Sequence, residues 1–180
     1  MKARKPTRLK PYDYSNSGWY FVTICTNQHQ ERFGQIKNEL MVLSELGKIA
    51  EKCWLDIPKH FPNCELDYYV IMPNHIHGIV IINNENQNLG NKKNVGGENF
   101  RPLHRTNLSN VIKGFKIGVK KWCNQNGYSD FKWQRSFYDR IIRNETELFN
   151  IRKYIKQNPL KWDLEKDIGN IYKRFLFQKY

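Results

Sequence analysis

The sequence predicts an α+β fold of the ferredoxin-like kind, an antiparallel sheet with helices packed on it. Three observations carry this expectation. Strand-length apolar runs stand at 19–26, 66–72 and 75–82, helical periodicities separate or follow them, and the order is strand, helix, hairpin, helix, strand, helix. With 180 residues, 39% of them hydrophobic, the chain has material for one core, so a single domain spanning 1–180 is expected.

The stretch WYFVTICT, beginning at Trp19, is β-branched and aromatic between Gly18 and Asn27, and reads as a buried strand. Ser44 then has the character of an N-cap. Leu46, Ile49, Ala50, Cys53 and Ile57 follow at helical spacing until Pro58 interrupts. LDYYVIM and HIHGIVII are two strands joined at Pro73 and Asn74, residues that favour a tight turn. Residues 83–102 are polar, rich in Asn and Gly and without period, as expected of a flexible loop or substrate flap.

From about Thr106, Leu108, Val111, Ile112, Phe115, Val119 and Trp122 set the stripe of a second helix, with Lys113, Lys116, Lys120 and Lys121 largely off it. WQRSFYDRIIR, 133–143, reads as a fourth strand. Asn144 and Glu147 then resemble a capping box, and Leu148, Ile151 and Ile155 make the stripe of a third helix, expected to end near Asn158 because Pro159 disfavours helical geometry before it. Residues 160–180 are left as a C-terminal extension.

Thirty Lys and Arg against seventeen Asp and Glu give a net charge of +13, which points to a polyanionic partner, nucleic acid before a membrane surface. No apolar run is long enough to span a bilayer, and the first residues lack the apolar middle of a signal peptide, so a cytoplasmic protein is expected. Cys25, Cys53, Cys64 and Cys123 form no Cys-x-x-Cys pair and read as reduced core residues. Residues 1–17 read as a basic arm in which Arg4, Lys5, Arg8 and Lys10 are placed to meet phosphates, as are Lys113, Lys116 and Lys120 on the second helix.

The chemistry-bearing feature is YVIMPNHIHGIVII, 69–82. Strand geometry sends His75 and His77 to one face and Ile76 to the other, so the two imidazoles are able to grip one ion or simply pack as a core pair. On the late helix, NIRKYIKQNP holds Tyr154 and Asn158 four residues apart on one face, where a phenol and an amide oxygen could share the surface with that ion; Gln157 is a reserve ligand.

MPNHIHGIV followed by WQRSFYDRIIRNETELFNIRKYIKQNP resembles the single-tyrosine transposases of the His-hydrophobe-His (HUH) type, specifically the REP-associated tyrosine transposases, over about Trp19 to Asn158. The resemblance implies an HUH-type nuclease core. It further implies that His75, His77 and Asn158 bind a divalent ion, Mg²⁺ or Mn²⁺, and that Tyr154 attacks DNA to leave a 5′-phosphotyrosine link and a free 3′-hydroxyl. The implied partner is single-stranded DNA beside a hairpin, such as a repetitive extragenic palindrome, met by a monomer or homodimer at the bacterial nucleoid. Trp19, Tyr20, Trp133, Phe137 and Tyr138 are candidate stacking surfaces for unpaired bases. Arg140 departs from the pattern, since many relatives carry a histidine there. Two other classes stay open: a metal-dependent nuclease that uses water, and a nucleic-acid-binding module without catalysis.

Overall fold

The computed structural model describes residues 12–84 and 105–177, with side chains to 164. Four strands form the main sheet: β1 (Gly18–Cys25), β4 (Cys64–Ile71), β5 (His75–Ile82) and β6 (Tyr138–Ile142), in the order β4-β5-β1-β6 with every neighbouring pair antiparallel. This is the split βαβ arrangement expected from the element order. A hairpin of β2 (Gly34–Lys37) and β3 (Leu40–Leu43) stands apart from it.

Helices α1 (Glu45–Leu55) and α3 (Leu108–Gln125) cover one sheet face, with the short α2 (Ile57–His60) after α1. Ser44 caps α1 by accepting from Gly47 N at 3.0 Å. Beneath these helices Val22, Ile24, Ile76, Val80 and Ile82 meet Ala50, Trp54, Val111, Phe115 and Val119 in the larger core. Gly78 belongs to this face for a steric reason: a Cβ there would stand 2.3 Å from Cζ2 of the buried Trp54 ring. Alternation along β5 therefore sends His75, His77 and Ile79 to the opposite face.

That opposite face is crossed by α4 (Glu145–Phe177). Asn144 Oδ1 accepts from Glu147 N at 2.8 Å while Glu147 Oε2 accepts from Arg143 N at 2.9 Å, so the helix start is capped from both sides. Ile155, with Leu148 and Ile151 beside it, packs on Phe21, Ile79 and Ile142 in a second, smaller core.

Several expectations are corrected. The last helix does not end near Asn158 but runs through Pro159 to Phe177, so residues 160–177 continue it. Tertiary contacts outweigh the local cost of proline: Trp162 lies 5.8 Å from the His75 ring, and Asp163 Oδ2 accepts from Glu39 N on the β2–β3 turn at 3.2 Å. That hairpin itself was not expected. It turns at Asn38 and Glu39, both at positive φ (49° and 63°), the geometry of a tight two-residue hairpin loop.

The fourth strand is shorter than 133–143, because Trp133 pairs only through an isolated bridge to Thr26 before β6 begins at Tyr138. Residues 12–17 are not part of a free arm, since Tyr14 is buried and Tyr12 packs edge-on to it in the larger core. Residues 1–11 and 85–102 of the expected arm and loop lie outside the described residues, while Asn83 and Asn84 at the loop's start are pinned. Asn84 is buried, donating to Ser15 O and Thr106 O and accepting from Thr106 N. Where LDYYVIM lacks clean alternation, β4 carries a register shift between Leu66 and Tyr69.

Candidate active site on the α4 face of the sheet

His75 and His77 converge as strand geometry requires: their Nε2 atoms are 3.0 Å apart. Both outer nitrogens are held. His75 Nδ1 lies 2.7 Å from Asn74 Oδ1, and because an amide oxygen only accepts, His75 carries its hydrogen on Nδ1 and turns the Nε2 lone pair inward. His77 Nδ1 lies 2.8 Å from Thr23 Oγ1, a hydroxyl able to accept the same hydrogen. Thr23 is the β1 residue directly across from His77, and Phe21, also on β1, stacks on the His77 ring with centroids 5.4 Å apart.

Burial governs the protonation of the pair. It pulls His75 down to about 4, with the nearby His29 acting the same way and Asn158 opposing, and pulls His77 down to about 3 with His75 as the second cause. Both rings are therefore neutral at neutral pH. His75 Nε2 is bare, so the 3.0 Å approach is bridged by an Nε2 hydrogen of His77 when Thr23 Oγ1 donates to His77 Nδ1, and opens to a cation when Thr23 accepts; an outer nitrogen held by a fixed oxygen is the usual support of a metal-binding histidine.

Asn158 adds the oxygen. It extends the α4 stripe of Ile151 and Ile155 by three residues, so it is buried, and its amide acts on His75 in the direction that favours the charged ring. Because α4 continues past it, Asn158 is no helix C-cap. Two nitrogens and one amide oxygen fit a divalent ion of the first transition row or Mg²⁺ with further oxygen ligands. Among the described residues no group of three or more His, Cys, Asp or Glu side chains is placed to hold a metal ion.

Tyr154 flanks the same stripe and is 38% exposed. Its hydroxyl lies 3.2 Å from His77 Nε2, its ring stands edge-on to Phe21 at 6.1 Å, and Lys161, two turns later, sits over it at 5.4 Å. Phenol, imidazole pair and amide thus meet within one chain. The helix carrying the phenol and the amide is fastened at the β4 edge, where Asp67 accepts from Arg152 Nε at 3.0 Å and Nη2 at 2.5 Å and Arg152 also lies over the Trp19 and Tyr68 rings.

Other sequence candidates fall elsewhere. Tyr138 pairs with Thr23 and is exposed at the sheet edge, and Arg140 is engaged by Glu147. Tyr20 is fully buried, which removes it as a stacking surface, while Trp19 is half-buried beside Arg152. Trp133, Phe137, Lys113, Lys116 and Lys120 line a groove beside α3, away from the histidines. Arg4, Lys5, Arg8 and Lys10 lie outside the described residues. Sequence reasoning missed Thr23, Asn74, Phe21 and Lys161. The spacing of seven after Tyr154 could have flagged Lys161, whereas Thr23 and Phe21 become visible only with the β1–β5 register.

Comparison with known proteins agrees with this architecture. No family model matches the chain. A solved structure of a REP-associated tyrosine transposase bound to a REP hairpin superposes with a TM-score of 0.55 at 20% identity, covering 89% of this chain and 74% of that one. The fold is the one found in REP-associated tyrosine transposases, as the sequence resemblance implied. An uncharacterized protein of Haemophilus influenzae is 36% identical over 165 residues, 91% of this chain and 92% of that protein, and the chain belongs to one family with it.

Proposed function

We propose that the chain is a transposase-like DNA enzyme that cleaves and rejoins single-stranded DNA through a tyrosine nucleophile. The observation carrying this reading is the 3.2 Å approach of the Tyr154 hydroxyl to His77 Nε2, where the second histidine converges. The structural relative is bound to a REP hairpin, and in this chain hairpin-associated DNA is the proposed substrate.

In the proposed reaction Tyr154 Oη attacks a backbone phosphorus, forming a P–O bond as the bond to the 3′ oxygen breaks. The phenol proton is lost, and the departing oxygen takes up a proton to become a 3′-hydroxyl. His75, His77 and Asn158 would hold a divalent ion, Mg²⁺ or Mn²⁺, which when bound offsets charge on the attacked phosphate and favours phenolate. Thr23 and Asn74 fix the imidazole orientations. Phe21 and the α4 stripe hold the phenol in place, and Lys161 adds positive charge beside the ring. Attack by a 3′-hydroxyl on the phosphotyrosine reverses the bond changes, so rejoining needs no external energy source.

The test is incubation of the protein with short hairpin-bearing single strands and Mn²⁺, followed by denaturing electrophoresis. A covalent adduct is expected for the native protein and for Tyr138→Phe, and none for Tyr154→Phe. Cleavage at the native rate by Tyr154→Phe, without adduct, would instead favour the water-using nuclease.

A further inference from the structure

Away from the histidines, α3 and residues 133–137 enclose a groove of about 900 Å³. Its floor is apolar and aromatic, with Ile112, Trp133 and Phe137, and Ile117, 55% exposed, forms a lip. Among the described residues no acidic side chain contributes to the lining. Five cations do, and they divide into two sets.

Lys116 and Lys120 build the walls. Lys116 Nζ donates to Gln134 O at 2.9 Å and Ser136 O at 3.3 Å, and Lys120 Nζ donates to Ser129 O and Phe131 O, each at 2.8 Å. Trp133 Nε1 donates to Lys116 O at 3.2 Å, which fixes the ring against the helix. Lys113, Lys121 and Arg135 are exposed on the rim and have no partner among the described residues. A rigid aromatic floor under a rim of unspent positive charge is complementary to a nucleobase with flanking phosphates.

The groove's position adds to the argument. Its Phe137 is followed directly by the exposed Tyr138, which lies across β1 from His77 through Thr23. Two strand spacings, roughly 10 Å, separate the backbones of Tyr138 and His77; the groove lies on the α3 face and the histidines on the α4 face, so a strand joining them passes round the open β6 edge of the sheet. We propose that this groove seats unpaired nucleotides of the strand that leads to the His75–His77 site, a base lying against Trp133 and Phe137 and its phosphates on Lys113, Lys121 and Arg135. For the identity of the polymer this rests on the DNA-cleaving reading above; the groove itself does not.

The experiment measures binding of fluorescein-labelled oligodeoxythymidine of about ten nucleotides, and of an abasic strand of equal length, by anisotropy across salt concentrations. The Lys113→Ala, Lys121→Ala, Arg135→Ala protein, altered only at exposed positions, is expected to bind at least about tenfold more weakly. Its salt slope should flatten by about two, from roughly 0.7 per lost phosphate contact. The abasic strand should bind the native protein several-fold more weakly than oligodeoxythymidine, and that difference should shrink in Phe137→Leu. Unchanged affinity and slope in the triple variant, or equal binding of the abasic strand, overturns the proposal. Displacement of the DNA by polyglutamate at matched charge would do so too, marking the groove as a site for acidic protein segments. None of these readouts needs cleavage. A groove that binds as expected in a protein whose Tyr154→Phe variant still cuts DNA would leave this proposal standing and remove the tyrosine chemistry.

Discussion

At the scale of residues, the site is made by atoms whose orientation is fixed from behind. Asn74 and Thr23 hold the outer nitrogens of the two histidines, and burial keeps both rings uncharged near neutral pH. Replacing both His75 and His77 by Ala is therefore expected to abolish Mn²⁺ binding measured by titration calorimetry, with the fold retained by circular dichroism. Thr23→Val removes only the support of His77 and should weaken Mn²⁺ binding by roughly 10–100-fold, the usual effect of losing such a partner. Equal affinity in the valine protein would show that Thr23 has no part in orienting the ring. Gly78 makes a prediction of a different kind: Gly78→Ala drives a methyl into the Trp54 ring and should cost about 1–3 kcal/mol in chemical unfolding.

At the scale of elements, α4 carries the phenol and the amide, so whatever fixes α4 fixes the site. Its start depends on Glu147, whose carboxyl is held below the usual glutamate range, first by the Arg143 backbone N–H and then, despite burial acting the other way, by Arg140. A carboxylate with a depressed folded pKa contributes stability above its unfolded value and loses it as pH falls. Glu147→Ala should thus lower stability by about 1 kcal/mol at neutral pH, a difference that narrows as pH drops through and below about 4. Thermal melts of both proteins across that range check it; a pH-independent difference would place the effect in helix propensity alone. The stretch after Pro159 is held by Trp162 near His75 and Asp163 at the β2–β3 turn, which links that hairpin to the site.

At the scale of the molecule, phenol, imidazoles and amide come together within one chain. Mixing His77→Ala protein with Tyr154→Phe protein is accordingly expected to restore no cleavage of hairpin-bearing DNA. Recovered activity in the mixture would demonstrate exchange of α4 between copies. The charge of +13 is also a property of the whole surface, and it supports long-range attraction of a polyanion ahead of any specific contact.

The sequence by itself determined the element order, and with it the split βαβ topology, because apolar period and capping residues are local signals: Ser44, the Pro73–Asn74 turn and the Asn144–Glu147 cap all act where they stand in the chain. It determined equally that His75 and His77 share a face, since alternation along a strand needs no partner. The length of α4 was beyond it, because Pro159 carries a local cost that tertiary contacts, among them those of Trp162 and Asp163, offset. The β2–β3 hairpin was beyond it too, as a four-residue strand has too few alternating positions to stand out. Only the tertiary structure brought Thr23 behind His77, Phe21 beneath Tyr154 and residues 133–137 against α3, because those meetings depend on strand register and helix placement that no local pattern encodes.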